Sequence, residues 1–580
     1  MIRRPFLAAL ALLSPLTSVA RAQSPPPNIL LILGDDVGVD FVQAYGEAPN
    51  PPCTPNLDAL AAQGMLFRNA WTDPTCSPTR AEVLTGRYGF RTGVGLPLAN
   101  TDDGLALSEF VIPELLAGYA NAAVGKWHLH GNLGNTHPND SGSDSYAGCI
   151  RGAVQDYFSW SKVTNGTTSH STNYVVSETA DDALAAIGAM PEPWFAYVNF
   201  NSIHTPFHVP PAGLCPTAGC ASGYCGNLPP NPSNAELAKA MAEAMDTEIG
   251  RLVAAIDPAH TYVFFLGDNG TPGQASEAPF LGSHAKGTMY EGGVNVPLIV
   301  RGPGVAAGES QALVSSTDLF ATCAELAGVT ASAEDSVSFV PCLGDPGAAV
   351  RTTVYAERFT NGAVCFPAPD HEQAIRDGRY KLIRRQAGGV AEEFYDLLVD
   401  PFETSNLLPG LDASEQAARD ALAAELDALT APTSVASTYC TAGTSASGCL
   451  ALLSASGTPS ATAASGFELH ALGVEGNKRG IFFFGTAGRQ QNPWGNGTSY
   501  QCVVPPVRRT GTLPFAGTAG ACDGSFDQDL NAVWCPSCPK AGANPGAGAL
   551  VQIQLWYRDP LSTSNQTTSL SDALEFAVLP

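Results

Sequence analysis

The chain reads as an α/β domain followed by an all-β region, and three observations carry that reading. Between about Pro26 and Leu408, short apolar runs alternate with amphipathic stretches, the pattern of strands joined by crossover helices. Over residues 430–466 the composition shifts to Ser, Thr, Ala and Gly, with Pro432 and Pro459 as breaks. Beyond that stretch, β-like segments are separated by Gly, Pro and Asn, as in compact all-β folds.

Each element follows from its own residues. Asn28 to Leu33 (NILLIL) is an unbroken apolar run, the mark of a strand buried on both faces. Trp194 to Phe200, Tyr262 to Leu266 and Val296 to Val300 are further strands of this kind, and Ala122 to Val124 is a shorter one. Asn56 to Gln63 begins a helix with Leu57 and Leu60 on one face. Ala235 to Ile256 is helical through Leu237, Met241, Met245, Ile249 and Leu252. Ala374 to Arg384, followed by Glu393 to Leu398, forms a small antiparallel piece, and Glu415 to Leu429 a terminal helix. In the C-terminal region Phe467 to Val474, Gly480 to Phe484, Cys502 to Val507 and Leu550 to Tyr557 are the strand candidates.

Bulk properties narrow the function. A chain of 580 residues with 44% hydrophobic and 14% charged residues is globular and long enough for more than one core. A net charge of −25 argues against nucleic acid and anionic membrane as partners. Any anionic substrate must therefore be held by a local cationic cluster. Arg3 and Arg4 precede an apolar stretch from Phe6 to Leu16, and Ala20-Arg21-Ala22 has the form of a cleavage site. This predicts a signal peptide over residues 1–22 and a chain exported to the periplasm or the extracellular space. The stretch falls short of the roughly 20 residues that span a bilayer, and no later segment reads as a transmembrane anchor.

Fifteen cysteines in an exported chain suggest disulfides. Six of them (Cys440, Cys449, Cys502, Cys522, Cys535 and Cys538) fall in the C-terminal region. The odd total leaves one over, and Cys76 is the expected singleton, although parity alone does not choose it. Cys535-Pro-Ser-Cys538 has redox or zinc spacing, but a single such pair reads better as a structural disulfide.

The residues that carry chemistry follow strand candidates. Asp35-Asp36 succeeds NILLILG and Asp268-Asn269 succeeds YVFFLG. In open α/β sheets such positions converge at the carboxyl ends of the strands. Three carboxylates and an amide carbonyl suit a hard cation, calcium first and magnesium second, though either pair alone is also ordinary turn chemistry. Lys126, His128, His204 and Lys286 lie in similar places. Cys76 precedes a helix that Ser77 can cap and that Pro78 suits at its first position. A helix N-terminus favours an anion and activates a nucleophile, although a structural cysteine fits there too.

Residues 76–87, Cys-Ser-Pro-Thr-Arg-Ala-Glu-Val-Leu-Thr-Gly-Arg, resemble the signature of the type I sulfatases, in which Cys-x-Pro-x-Arg directs oxidation of the cysteine to formylglycine. Thr54-Pro-Asn-Leu-Asp58, Gly125-Lys-Trp-His128, Ile203-His-Thr-Pro206, Gly267-Asp-Asn-Gly270 and the run from Tyr395 to Leu407 extend the resemblance in the family's order from Asn28 to Leu408. Thr79 departs from the commoner Ser. The resemblance implies an alkaline phosphatase-like mixed sheet flanked by helices, with a small antiparallel C-terminal subdomain and an appended all-β domain. It implies one calcium ion held by Asp35, Asp36, Asp268, Asn269 and the modified residue 76. Arg80, Lys126, His128, His204 and Lys286 would line the sulfate pocket. The implied partners are a formylglycine-generating enzyme during maturation and a sulfated small molecule or glycan as substrate. The expected layout is 1–22 signal peptide, 23–432 catalytic domain, and 433–580 linker with a disulfide-containing β domain.

Two alternatives remain. One is a phosphate or phosphonate monoester hydrolase of the same superfamily, against which Asn269 weighs because the phosphonate hydrolases resembling this pattern place a His there. The other is a non-catalytic glycan-binding protein. Trp494, Tyr500, Trp534, Trp556 and Tyr557 are either a carbohydrate platform or core of the C-terminal region.

Overall fold

The computed structural model describes residues 26–579 apart from 217–219, 221–222, 330, 332, 362–367, 387, 431–435, 495–497, 514–516, 539 and 561–565. The expected signal peptide lies outside the described residues.

The α/β region is built on ten strands: β1 Asn28–Gly34, β2 Met65–Trp71, β3 Ala120–Gly125, β4 Ser145–Gly148, β5 Trp160–Thr164, β6 Thr167–Ser171, β7 Trp194–Phe200, β8 Thr261–Gly267, β9 Asn295–Arg301 and β10 Gly308–Ser315. They form one mixed sheet in the order β10-β2-β9-β8-β1-β7-β3-β4-β5-β6. Its centre, β8-β1-β7-β3, is parallel, with Gly34 level with Gly267 and with Phe200, and Gly125 level with Asn199. Four strands thus end at one edge of the sheet, where ligands of open α/β folds bind.

Burial explains the apolar runs. Ile29, Leu31 and Leu33 of β1 belong to one core cluster while Leu30 and Ile32 belong to the cluster on the other face, because successive side chains of a strand point to opposite sides. Each such side chain contributes about 1.5–3 kcal/mol by leaving water. Helices α1 (Pro55–Ala62), α3 (Val175–Ala189) and α4 (Asn234–Ala254) cover one face through Leu57, Val176 and Met241. Helices α2 (Cys76–Thr85) and α5 (Asp318–Leu326) cover the other through Leu84 and Phe320.

The small antiparallel piece is a four-stranded sheet of β11 Val354–Arg358, β12 Glu372–Arg376, β13 Tyr380–Arg385 and β14 Ala391–Asp396, crossed by α6 (Ala413–Thr430). The run expected as one segment from Ala374 to Arg384 divides at a turn in which Asp377 accepts the amides of Arg379 and Tyr380. Among the described residues the C-terminal region holds ten strands: β15 Ser437–Tyr439, β16 Leu452–Gly457, β17 Phe467–Val474, β18 Gly480–Gly485, β19 Arg489–Pro493, β20 Tyr500–Val503, β21 Arg508–Leu513, β22 Gly524–Asp529, β23 Leu550–Arg558 and β24 Thr568–Ala577. The segment expected at Cys502 to Val507 ends instead at Val503, ahead of Pro505-Pro506. Trp534 and Tyr557 are fully buried, Trp556 and Trp494 pack on Phe483, Val503 and Leu570, and the indole of Trp494 donates to Thr568. Trp534 and Tyr557 therefore belong to the core and not to an exposed platform.

Disulfides join Cys53 to Cys220, Cys215 to Cys225, Cys440 to Cys502, Cys449 to Cys522 and Cys535 to Cys538. The expected singleton is corrected: Cys149, Cys323 and Cys342 are free and buried like Cys76. Cys365 lies outside the described residues. The first two bridges tie the loop beyond β7, and the carboxylate of Glu243 on α4 organises it. That group accepts the amides of Cys53, Tyr224 and Cys225 at 2.9, 2.9 and 2.6 Å with no solvent exposure. Replacing Glu243 by Ala leaves three buried donors unpaired, and a loss of about 3 kcal/mol is expected. The urea midpoint of the full chain measures it, and Glu243→Gln should recover only part, since a neutral amide accepts more weakly.

Candidate active site

The four parallel strands deliver their successors to one point. Asp35 and Asp36 follow β1, Asp268 and Asn269 follow β8, Lys126 to His128 follow β3, and His204 lies four residues past β7. Backbone bonds lock these turns together: Asp268 to Gly34, Asp35 to Ser202 and Lys126 to Asn199, at 3.0, 2.9 and 2.9 Å. Asp36 and His128 hold φ of 67° and 56°. Non-glycine residues pay about 1–3 kcal/mol for that region, so the surrounding bonds must enforce it.

Each carboxylate meets a cation. Asp35 accepts from Lys126 at 2.7 Å, Asp268 accepts two bonds from Arg80 at 2.7 and 3.2 Å, and Asp36 accepts from Lys286. Lys286 reaches in from the loop between β8 and β9, its amide bonded to the carbonyl of Thr271. Burial pushes Asp35 up to about 7 against the pull of Lys126. Burial pushes Asp36 the same way, but Lys286, His204 and Lys126 outweigh it and hold it below the usual carboxylate range.

Cys76 begins α2, with Thr75 as the flanking residue and no side-chain cap. The expected capping by Ser77 and first helical position of Pro78 are therefore corrected: they are the second and third residues of the helix. The Ser77 hydroxyl instead donates to the carbonyl of His128 at 2.9 Å and accepts the amide of Leu98 at 3.0 Å, tying α2 to the turn after β3. The sulfur of Cys76 lies 3.2 Å from Nδ1 of His128, whose Nε2 lies 3.1 Å from the carbonyl of Leu98. A carbonyl only accepts, so Nε2 carries the proton and Nδ1 presents its lone pair to residue 76. Burial, Lys126 and Arg80 depress the pKa of His128 well below its ordinary value, which keeps it neutral.

The residues also suit a cation. Ligand atoms of Asp35, Cys76 and Asp268 lie within 4.8 Å of one another. Oδ1 of Asp35 and Oδ1 of Asn269 are buried without a hydrogen-bond partner, while the Asn269 amide donates to Asp36 at 2.9 Å. Buried oxygens left unpaired are costly, and an oxygen-rich set of this kind fits a hard divalent ion. All ten residues singled out in the sequence fall in this region. Arg80 differs from the expectation: fully buried, it spends its guanidinium on Asp268, the Lys126 carbonyl and Oδ1 of Asn199. Asn199 was not anticipated, although a lone amide in the apolar run WFAYVNF is a signal in retrospect.

Parallel strand ends, a cysteine at a helix start and a charge-balanced oxygen cluster agree with the alkaline phosphatase-like superfamily. The sulfatase family model matches residues 27–329, and the model described as N-sulphoglucosamine sulphohydrolase, C-terminal, matches 281–431. The chain belongs to the sulfatase family, among its type I members. It is 32% identical over 369 residues to N-acetylgalactosamine-6-sulfatase of Rattus norvegicus, a match covering 56% of this chain and 65% of that protein. With arylsulfatase A of Bos taurus it shares 30% identity over 489 residues, covering 72% and 90%. The crystal structure of Ps i-CgsB superposes with a TM-score of 0.60 at 25% identity, covering 70% of this chain and 93% of that one.

A divalent ion should bind the unliganded protein measurably by calorimetry. Asp36→Asn should weaken it by about 100-fold or more, since the loss of a ligand exceeds the 10–100-fold typical of outer partners.

Proposed function

We propose that this chain is an exported sulfuric ester hydrolase, periplasmic or extracellular, whose nucleophile is the hydrated aldehyde of a formylglycine made from Cys76 by a formylglycine-generating enzyme. The carrying observation is the meeting of Cys76 with the neutral face of His128 and the ligand set Asp35, Asp36, Asp268 and Asn269. Calcium, favoured over magnesium by the donors, would supply Lewis-acid charge at the sulfate oxygens and ease deprotonation of the attacking hydroxyl.

The chain's own residues account for the rest. One hydroxyl of the hydrate gives its proton to Asp268 and attacks sulfur, and the bond from sulfur to the leaving oxygen breaks. His204 or Lys286 gives the departing alcohol its proton. His204 is fixed by its Nδ1–H bond to the Thr205 carbonyl at 2.9 Å, so it serves as the donor at Nε2 only as the doubly protonated imidazolium. Nδ1 of His128 then takes the proton of the second hydroxyl, the carbon–oxygen bond to sulfate breaks, and the aldehyde returns. Lys126 and Lys286 hold charge on the transferring group while neutralising Asp35 and Asp36. An unconverted thiol lacks the second hydroxyl, so release by this route would be closed.

The substrate class we propose is a sulfated carbohydrate or aryl sulfate, supported by relatives named for galactosamine sulfate and aryl sulfate. Residues 23–432 would form the catalytic domain and 433–580 the linker and β domain, a division supported by the second family match ending at 431. Among the described residues no helix is long and apolar enough to cross a membrane.

On matched aryl esters, converted protein should release sulfate far faster than phosphate. A faster phosphate reaction would assign the chain to the phosphatase side of the superfamily. His128→Ala should release about one equivalent of phenol per site and then stall as sulfated enzyme, read by quenched mass spectrometry.

A further inference from the structure

The run 76–87 ends in Arg87, two residues past α2, and that side chain is 7% exposed. Its guanidinium makes a two-point bond to Glu109 at 2.7 and 2.6 Å and lies 3.0 Å from Glu334. On its third side, 3.7 Å away, stands Glu575 of β24 in the C-terminal region. The pairing is reciprocal. Arg489 of β19 bonds Glu575 at 2.6 Å and reaches 3.5 Å to Glu334 of the α/β region. Glu575 is finished by the amide of Gln552 at 2.7 Å, and Arg489 sits over the ring of Tyr439 at 4.7 Å. Thus each region lends the other an arginine and a glutamate, with Arg87, Arg489 and Glu575 buried and Glu334 at the exposed rim.

Removing Glu575 or Arg489 leaves a buried arginine or glutamate short of its counter-charge, which is costly. Burial alone would raise Glu334, yet Arg87 and Arg489 hold it down to about 2, and Glu575 is likewise lowered. The link to α2 is equally tight. Gly86 turns the chain at φ 68°, and a Cβ there would meet Phe320 of α5 at 2.8 Å, so Arg87 cannot shift without moving the helix end. Nine further residues of helix, about 14 Å at 1.5 Å per residue, run from Cys76 to the turn that carries Arg87.

We propose that Arg489 and Glu575 are positioning residues for the helix that carries Cys76, and that the C-terminal region is thereby part of the catalytic unit. They touch no substrate and act through Arg87. The kinetic arm of the test rests on the sulfatase reading above; its structural arm does not.

Full-length Glu575→Gln and Arg489→Gln are assayed on an aryl sulfate with rates expressed per aldehyde-bearing chain, and exchange of the α2 amides is followed by mass spectrometry. Lys478→Gln, which breaks the pair with Glu475 in the same region, serves as control. We expect kcat to fall about tenfold with KM within twofold, the size of effect a sub-ångström misplacement produces, and α2 amides to exchange faster. The control should change neither. Wild-type kcat together with wild-type α2 exchange in both folded variants would overturn the proposal. If either variant fails to fold, Arg489→Lys and Glu575→Asp replace it. Intermediate kcat and exchange would support the proposal, and wild-type values would overturn it. If the wild type hydrolyses no sulfate ester, the sulfatase reading fails, and α2 exchange alone decides the clamp.

Discussion

Three carboxylates can sit side by side at the ends of β1 and β8 only because three cations come to meet them. Lys126 answers Asp35, Lys286 answers Asp36 and Arg80 answers Asp268. The balance leaves no room for a further anion, since burying an uncompensated charge costs several kcal/mol. A divalent ion on the unpaired oxygens of Asp35 and Asn269 would change that sum, and in the proposed function a sulfate ester would restore it. The overall acidity of the chain makes this local surplus the feature that selects an anion.

The same constraint fixes the placement of residue 76. It must face the cluster while keeping a proton acceptor beside it, and His128 meets the second need through the bond of its Nε2 to Leu98. The left-handed backbone at His128 and Asp36 is the local cost of aiming both groups inward. Ser77, bonded to both the His128 carbonyl and the Leu98 amide, holds the two walls at one separation.

Much of this was legible because the sheet rule turns sequence position into space. A polar pair after an apolar strand lands at the carboxyl edge, so Asp35, Asp36, Asp268 and Asn269 could be grouped before any coordinate. Side-chain direction could not be read in that way. Arg80 belongs to the signature yet spends its guanidinium on Asp268 and Asn199, and the cap position of α2 lies at Thr75, two residues before Ser77. Cysteine pairing depends on contacts between distant loops, which is why Cys76 is one of several unpaired thiols. The ions joining Arg87 to Glu575 are more illegible still, because charged residues hundreds of positions apart carry no mark of each other. Without them, the C-terminal strands read as a detachable module.

The account stands or falls on what residue 76 is in mature protein. Tryptic cleavage releases Asn69 to Arg80, a peptide whose one sulfur atom is that of Cys76. Protein with sulfatase activity, made in a host able to modify it, should yield this peptide without sulfur and with a carbonyl that reacts with a hydrazide. The same peptide recovered wholly as the thiol from fully active protein would contradict the account.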